Sequence, residues 1–531
     1  MRKLLTVVVL CIALLMVSIP VSASIGGMYS LYIDWSFDES TGTLCFTGTD
    51  AISRWLIEYG PWRDFVDEVV AVDIGDGIVG IGDLVFANMK NLKRVTMADS
   101  VTWIGKGTFS GCTSLESIQL SSNLQTIGKS AFSNSGLVSI YIPEQVNKIP
   151  ANAFKNCDSL ETVYAPDSLV LIDDKAFYGC DSLKSFETYE STGEDEYVAD
   201  VDSNGIQEEA FYSCDNLEKV MISKWLRNIR TSAFAKCVNL KQVQMTDGLK
   251  SIDGCAFEGC TALSKITLPN TVTSIGERSF ASCSSLGTVV LSERLRDIGD
   301  EAFAGCIRLG ELQLPEGLET IGKYAFAGCT GIRSIVLPEG MKEIGSYAFT
   351  GSSFVEVILP QSLEVIADYA FKNSGIQEIV IPAGVKSIGK DAFYPCGKLR
   401  SIRFMGGAPE EMGNLTFIGR SDGYKTNIYY PIDTAGWEKY DLHSVTAVWV
   451  PYCSQECEFG SWEITKEATY TEEGMEQRTC TLCHAVEERA IPQKEFPVKE
   501  ILLCAFGIDL LIAGTVVLII VLCSRKKKKN N

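Results

Sequence analysis

The chain has 531 residues, a formal net charge of −20, 19 cysteines and two histidines. This length exceeds what a single hydrophobic core needs. The acidic excess repels nucleic acid and anionic lipid surfaces, so the composition argues against both as partners.

The first 23 residues have the pattern of a secretory signal peptide. Arg2 and Lys3 precede an apolar run over residues 4–17, and the small residues 21–23 offer a cleavage site before Ser24. An uncleaved N-terminal anchor is the alternative. We expect residues 24–72 to follow as a β-rich N-terminal cap.

A unit of 22 or 23 residues then recurs over residues 73–404, and one phenylalanine marks each copy. Repeats of this length indicate a solenoid. The spacing is constant except for one gap of 34 residues. The marks are Phe86, Phe109, Phe132, Phe154, Phe177, Phe211, Phe234, Phe257, Phe280, Phe303, Phe326, Phe349, Phe371 and Phe393.

The copy that begins at Leu263 illustrates the structure predicted for each unit. Ile266 alternates with the polar Thr267, which is typical of a strand with one buried face, and Pro269 ends that strand. Gly276 permits a tight corner, and Phe280 is expected to fill the interior. One unit cannot bury its apolar face alone, so the copies must stack on one another.

The unit L-x-x-I-x-L followed by A-F-x-x-C resembles the BspA-type leucine-rich repeats of bacterial surface proteins. The resemblance covers about residues 70–405 and extends to the flanks, at Trp35 and Pro61-Trp62 before the repeats and at Tyr429 and Trp437 after them. It implies a β-rich leucine-rich-repeat solenoid of about 14 coils with β caps, the C-terminal cap lying at residues 405–450. It also implies a secreted or surface-anchored protein that adheres to host proteins, host cells or other microbes.

The 34-residue gap contains an acidic insert at about residues 189–204, which is expected to be a solvated loop. Residues 200–205, Asp-Val-Asp-Ser-Asn-Gly, match the first half of a calcium loop. The twelfth position is Phe211 instead of the required glutamate, so an acidic turn is the favoured interpretation.

Ten cysteines occupy one position of the repeat, where other copies have serine or methionine. This tolerance predicts small, buried side chains that fill space as free thiols. Disulfides between coils are disfavoured because stacked side chains point the same way. The ten are Cys112, Cys157, Cys180, Cys214, Cys237, Cys260, Cys283, Cys306, Cys329 and Cys396.

Residues 453–491 form a tail module with a different cysteine pattern. Cys453 and Cys457 are separated by 22 residues from Cys480 and Cys483. Two close pairs on two turns are the spacing of a zinc site. Two disulfides in a secreted chain explain the same spacing. In either case the role is structural, and no other cofactor is expected.

Residues 492–500 read as a polar spacer before a second apolar run at residues 501–523. A run of this length can cross a membrane as a helix. Arg525 and four lysines follow in the tail at residues 524–531, and positive charge stays on the cytoplasmic side. We expect a single-pass membrane protein whose N-terminal region is extracellular.

Strand alternation predicts a row of outward-facing side chains along the solenoid. Its apolar and aromatic members are candidate contacts for an extracellular protein or glycan. The alternative explanation is that β-branched residues favour strands without any partner. The candidates are Tyr141, Tyr164, Val290, Val336, Ile358 and Val380.

Catalysis has little support in the sequence. The one Gly-x-Ser-x-Gly match, around Ser421, is followed by residues that read as extended chain, whereas a nucleophile elbow needs a helix. We therefore expect an adhesin-like surface binding protein and not an enzyme. A structural envelope protein without a specific ligand is the alternative.

Overall fold

The computed structural model describes residues 24–30, 32–53, 60, 62–191, 204–413, 425–442, 447–454, 456–469 and 471–494. Within these residues the only helices are two 3-10 turns, Arg63–Phe65 and Trp437–Lys439. The chain divides into two compact units, residues 1–429 with 436–449, and residues 430–435 with 450–531. The predicted signal peptide at residues 1–23 and the apolar run at residues 501–523 lie outside the described residues.

Three antiparallel strands, Ser24–Ser30, Ile33–Asp38 and Thr43–Gly48, form the N-terminal cap. The third of them pairs in parallel with Ala71–Ile74, so the sheet direction changes where the repeats begin. Phe46 of the cap lies edge-on against Phe86, with ring centroids 5.7 Å apart. The cap therefore covers the first coil of the solenoid, whose core would otherwise face water.

The coils contribute strands, mostly from their L-x-x-I-x-L segments, to what we call the first ladder. Neighbouring strands run parallel, and residues one coil apart pair with each other. Residues 311–313 form no regular strand. The first-ladder strands are Ala71–Ile74, Arg94–Met97, Ser117–Gln119, Ser139–Tyr141, Thr162–Pro166, Ser185–Tyr189, Lys219–Met221, Gln242–Gln244, Lys265–Thr267, Thr288–Val290, Ser334–Val336, Glu356–Ile358, Glu378–Ile381, Ser401–Phe404 and Thr426–Pro431.

A second ladder consists of two-residue strands, one from each of fifteen coils. The sequence analysis predicts about fourteen coils, one for each of its phenylalanine marks; the additional strand, Glu411–Met412, lies in the segment assigned to the C-terminal cap. The strands are Gly80–Ile81, Trp103–Ile104, Thr126–Ile127, Lys148–Ile149, Leu171–Ile172, Gly205–Ile206, Asn228–Ile229, Ser251–Ile252, Ser274–Ile275, Asp297–Ile298, Thr320–Ile321, Glu343–Ile344, Val365–Ile366, Ser387–Ile388 and Glu411–Met412.

The fourteen marker phenylalanines form one continuous stack through the core of the solenoid. Each ring lies nearly parallel to the next, with centroids 4.9 to 5.6 Å apart. All of them are buried. A buried aromatic ring removes a large apolar area from water, and offset stacking adds further stabilisation. The predicted solenoid core is confirmed.

Left-handed residues flank every phenylalanine of this stack. The residue two positions before each phenylalanine has a positive φ. The residue two positions after it also has a positive φ, except after Phe393. In the coil of Phe257 these residues are Cys255 and Gly259, and the amides of all three donate to carbonyls of the next coil at 2.7 to 2.9 Å. The alternating backbone thus aims three N–H groups along the solenoid axis and satisfies them there.

The repeat cysteines are free thiols and they are buried, in line with the sequence-based interpretation. They also form hydrogen bonds that the sequence did not indicate. The Sγ of each donates to the carbonyl of the stacked phenylalanine one coil earlier, at 3.0 to 3.2 Å. Ser352 makes the same bond to Phe326 through its Oγ at 3.2 Å. Cysteine and serine at this position can therefore satisfy a buried carbonyl in addition to filling space.

Substitution of Cys260 separates its role as a donor from its role as a space-filling side chain. Cys260→Val fills a similar volume but leaves the Phe234 carbonyl without this donor. We expect a loss of about 0.5 to 1.5 kcal/mol in the free energy of unfolding, because the carbonyl keeps its hydrogen bond from the Cys237 amide at 3.2 Å. Cys260→Ser keeps a donor and should cost less, as Ser352 indicates. Denaturant titration of the three proteins checks the order, and a valine variant as stable as the serine variant would contradict the proposed role.

The acidic insert and the calcium motif lie mostly outside the described residues, at 192–203. Gly205, the last residue of that motif, begins a second-ladder strand and pairs with Leu171. A Cβ at Gly205 would lie 2.3 Å from the carbonyl oxygen of Asn228. The glycine is therefore required by close packing of the coils.

Trp437 follows the last strand of the first ladder, Thr426–Pro431. Its ring lies edge-on against that of Phe404, with centroids 5.0 Å apart. A further strand, Ala447–Tyr452, follows. The tail module contains an antiparallel sheet of three strands, Glu463–Lys466, Gly474–Thr479 and Val486–Ile491. No helix in the described part of the chain is long and apolar enough to cross a membrane.

Candidate binding groove on the first ladder

Three successive coils near the C-terminal end of the first ladder present apolar side chains to solvent. Val336, Ile358 and Val380 are 58%, 49% and 49% exposed, while the residues on either side of them in the strands point inward. Val336 pairs directly with Ile358. The period-2 pattern of a strand with one buried face accounts for this row.

The same row continues into a shallow groove of about 740 Å³. Ile358 and Val380 line it together with Arg403 and Tyr429, which pair in register one coil apart. The Arg403 guanidinium lies 4.8 Å from the centroid of the Tyr429 ring, a cation–π contact. The groove thus joins an apolar stretch to a cationic and aromatic end.

Acidic side chains lie along one edge of this groove. Glu356 and Glu378 occupy the strand positions two residues before Ile358 and Val380, and both line the groove. Apolar, acidic and cationic groups therefore occur within a few coils. Such a surface can bury apolar side chains of a partner and align its charged groups at the same time.

The other predicted contacts are arranged differently. Val290 is exposed, but it pairs with Thr267, and the coil on its other side is the one without a regular strand. It is therefore separated from the apolar row. Tyr141 and Tyr164 pair in register on neighbouring coils, as predicted.

Tyr189 joins this tyrosine pair, although strand alternation did not select it. Its ring stacks on Tyr141 with centroids 4.7 Å apart, and its hydroxyl donates to the carbonyl of Ile142 at 2.6 Å. Burial raises the pKa of Tyr189. The side chain is thus anchored and extends the exposed surface around Tyr141.

The four tail cysteines come together in the second unit. The Sγ atoms of Cys453 and Cys480 are 3.6 Å apart, and those of Cys457 and Cys483 are 3.7 Å apart. All four sulfurs lie within 4.8 Å of one another. The nearby backbone amides, that of Cys483 first, lower the pKa of the Cys480 thiol.

The sequence of the solenoid matches a family model described as a BspA-type leucine-rich repeat region, in six copies. The matched segments are residues 70–194, 204–332 and 296–422, which make up more than half of the chain. The chain belongs to the BspA-type leucine-rich repeat family. No curated protein shows significant similarity to it.

The BspA-type chain is also similar to solved structures of bacterial leucine-rich repeat proteins. A protein from Bacteroides ovatus is 24% identical, with a TM-score of 0.42, and the match covers 71% of this chain and 94% of that one. One from Eubacterium ventriosum is 23% identical, with a TM-score of 0.36 and coverage of 70% and 94%. A leucine-rich cell surface protein from Faecalibacterium prausnitzii is 20% identical, with a TM-score of 0.32 and coverage of 75% and 96%.

A row of stacked tyrosines on this BspA-type solenoid escaped the sequence analysis. Tyr324, Tyr347 and Tyr369 occupy the left-handed position before three successive stacked phenylalanines, and their rings stack at 4.5 and 4.6 Å. Lys372 lies over two of these rings. The recurrence of tyrosine two residues before the marker was the available signal. Ser421, the residue of the Gly-x-Ser-x-Gly match, lies outside the described residues.

Proposed function

We propose that this BspA-type protein is an adhesin-like binding protein of the cell surface. Its candidate binding site is the groove lined by Ile358, Val380, Arg403 and Tyr429, together with the neighbouring Val336. The observation that carries the proposal is the run of three exposed apolar side chains on successive coils that leads into the groove. Contiguous exposed apolar surface often marks an interaction site.

The lining favours a protein segment over a glycan as the partner. Val336, Ile358 and Val380 offer aliphatic surface, which a protein partner covers with its own apolar side chains. Arg403 beside Tyr429 suits a carboxylate at one end of such a segment. The overall charge of −20 disfavours nucleic acid.

Two predicted segments of the sequence support a location at the cell surface. The predicted signal peptide at residues 1–23 would direct the chain out of the cytoplasm, and the predicted membrane helix at residues 501–523 would retain it at the cell membrane. The solenoid would then be extracellular, where its groove is accessible to partners.

A binding screen with two lysine substitutions in the groove tests this proposal. The purified protein is applied to a panel of immobilised extracellular proteins and to a glycan array. We expect saturable binding to a protein, and at least a tenfold weaker affinity for Ile358→Lys/Val380→Lys, because each lysine places an ammonium group where apolar contact is needed.

Ile307→Lys is the matched control, since Ile307 is 51% exposed but does not line the groove. Equal binding by the groove variant and the wild type would refute the groove. Saturable binding to glycans alone would refute a protein partner. Absence of saturable binding to the whole panel would favour the structural envelope protein.

A further inference from the structure

The spacing of the four tail sulfurs distinguishes the two explanations of the cysteine pattern. In a tetrahedral zinc site with Zn–S bonds of about 2.3 Å, the sulfurs are about 3.8 Å apart. The two close pairs here, Cys453 with Cys480 and Cys457 with Cys483, are at 3.6 and 3.7 Å. A disulfide would require about 2.05 Å. All four sulfurs are free and lie within 4.8 Å of one another, so the cluster is close to the size that four ligands around one ion need.

Backbone hydrogen bonds fix the turn that carries Cys480 and Cys483. The turn closes through hydrogen bonds from the Cys480 amide to the Ala485 carbonyl at 2.8 Å and from the His484 amide to the Cys480 carbonyl at 3.2 Å. These hydrogen bonds hold the backbone of the turn, so that both of its sulfurs stay close together as metal ligands must.

The other two cysteines are held close to that turn by backbone contacts. The isolated antiparallel bridge between Phe459 and Cys480 joins the segment after Cys457 to the second turn. The amide of Ser454, next to Cys453, donates to both carboxylate oxygens of Asp433 at 3.0 Å. Backbone hydrogen bonds therefore hold the chain segments that carry both cysteine pairs.

The tail module has almost no hydrophobic core of its own. Of its described residues only Ala468, Gly474, Cys480 and Cys483 are buried. Every residue of the strand Glu463–Lys466 is exposed, as are all but the last of Val486–Ile491. A domain of this size needs a disulfide, a metal or a partner to remain folded. Two of the four buried residues are the cysteines themselves.

We propose that Cys453, Cys457, Cys480 and Cys483 bind one zinc ion as a tetrahedral tetrathiolate site that holds the tail module folded. Soft sulfur ligands in tetrahedral arrangement select zinc among the common divalent ions. No position is left for water, so the site is structural. Because a preformed site rarely exists in the unfolded chain, the free energy of metal binding contributes to folding. This site is independent of the binding groove.

Metal analysis of the full-length protein, purified in detergent without chelator, tests the proposal. We expect inductively coupled plasma mass spectrometry to find one zinc ion per chain. After zinc removal, alkylation should label four thiols in the tail module. Cys480→Ser should lose the zinc. Cys255→Ser is the matched control, because Cys255 is a partly exposed free cysteine of the solenoid, and it should keep the ion.

Cys453→His is a control for the possibility that Cys480→Ser loses zinc only because the protein misfolds. Imidazole is also a zinc ligand, so this variant should retain the ion. Peptide mapping that finds Cys453–Cys480 and Cys457–Cys483 disulfides in a zinc-free protein would overturn the proposal. Iron in place of zinc, or zinc retained by Cys480→Ser, would overturn it as well.

Discussion

Phe257→Ala is expected to lower the free energy of unfolding by about 3 to 5 kcal/mol, the range for removing a buried phenylalanine. Phe257 is fully buried and stacks on Phe234 and Phe280, with centroids 5.1 and 5.3 Å apart. The neighbouring coils cannot close the resulting cavity without breaking their in-register ladders. Denaturant unfolding followed by far-ultraviolet circular dichroism measures the loss.

The position of Phe257 in the middle of the stack adds a second expected result. Stability in a solenoid is approximately the sum of each repeat and its interfaces with neighbours. A weakened central coil should therefore separate the unfolding of the two halves and broaden the transition. Tyr164→Ala is the control, because Tyr164 is an exposed aromatic residue on the first ladder. A similar loss from both substitutions would contradict the dominant role of the stack.

Alkaline pH is expected to destabilise the solenoid steeply because of the repeat thiols. Burial raises the pKa of Cys112 and Cys306 to about 12 and that of Cys157 to about 11. It also raises the pKa of Cys180 and Cys260 well above the ordinary thiol value. The remaining repeat cysteines shift in the same direction.

The direction of this pH effect depends on how many protons the thiols hold in the folded and in the unfolded chain. Below about pH 8.5 the thiols are protonated in both the folded and the unfolded chain, so their contribution to stability is complete. As the pH rises from there toward the folded-state pKa, the unfolded chain loses protons that the folded chain keeps, and the unfolded chain is favoured. Each thiol then removes up to about 1.4 kcal/mol of stability per pH unit.

Melting temperature measured between pH 7 and pH 10 checks this expectation. Ten such thiols together should make the decline far steeper than in a protein with few buried cysteines. The double variant Cys260→Ser/Cys283→Ser serves as the comparison, since serine does not ionise in this range and each variant position should reduce the slope. An unchanged slope in the double variant would show that other groups cause the alkaline effect.

The sequence alone determined the repeat architecture, because a 23-residue period carries its own structural signal. Each phenylalanine mark could be assigned to the core, and each repeat cysteine to a small buried position, since the same residue types recur at one place in every coil. Alternation around Ile358 and Val380 also predicted which side chains face outward. Burial and orientation in a coil depend on residues nearby in the chain and on the equivalent residues of the adjacent coil. The repeat period specifies both sets of residues.

Only the tertiary structure decided how side chains from different coils meet. The hydrogen bond from Cys260 to the Phe234 carbonyl joins residues 26 positions apart, and the stacking of Tyr189 on Tyr141 spans two coils. The isolation of Val290 depends on a neighbouring coil without a regular strand. In the tail module, cysteine spacing along the chain is equally compatible with zinc and with disulfides, because it does not specify the distances between sulfurs, which the folding of two separate turns sets.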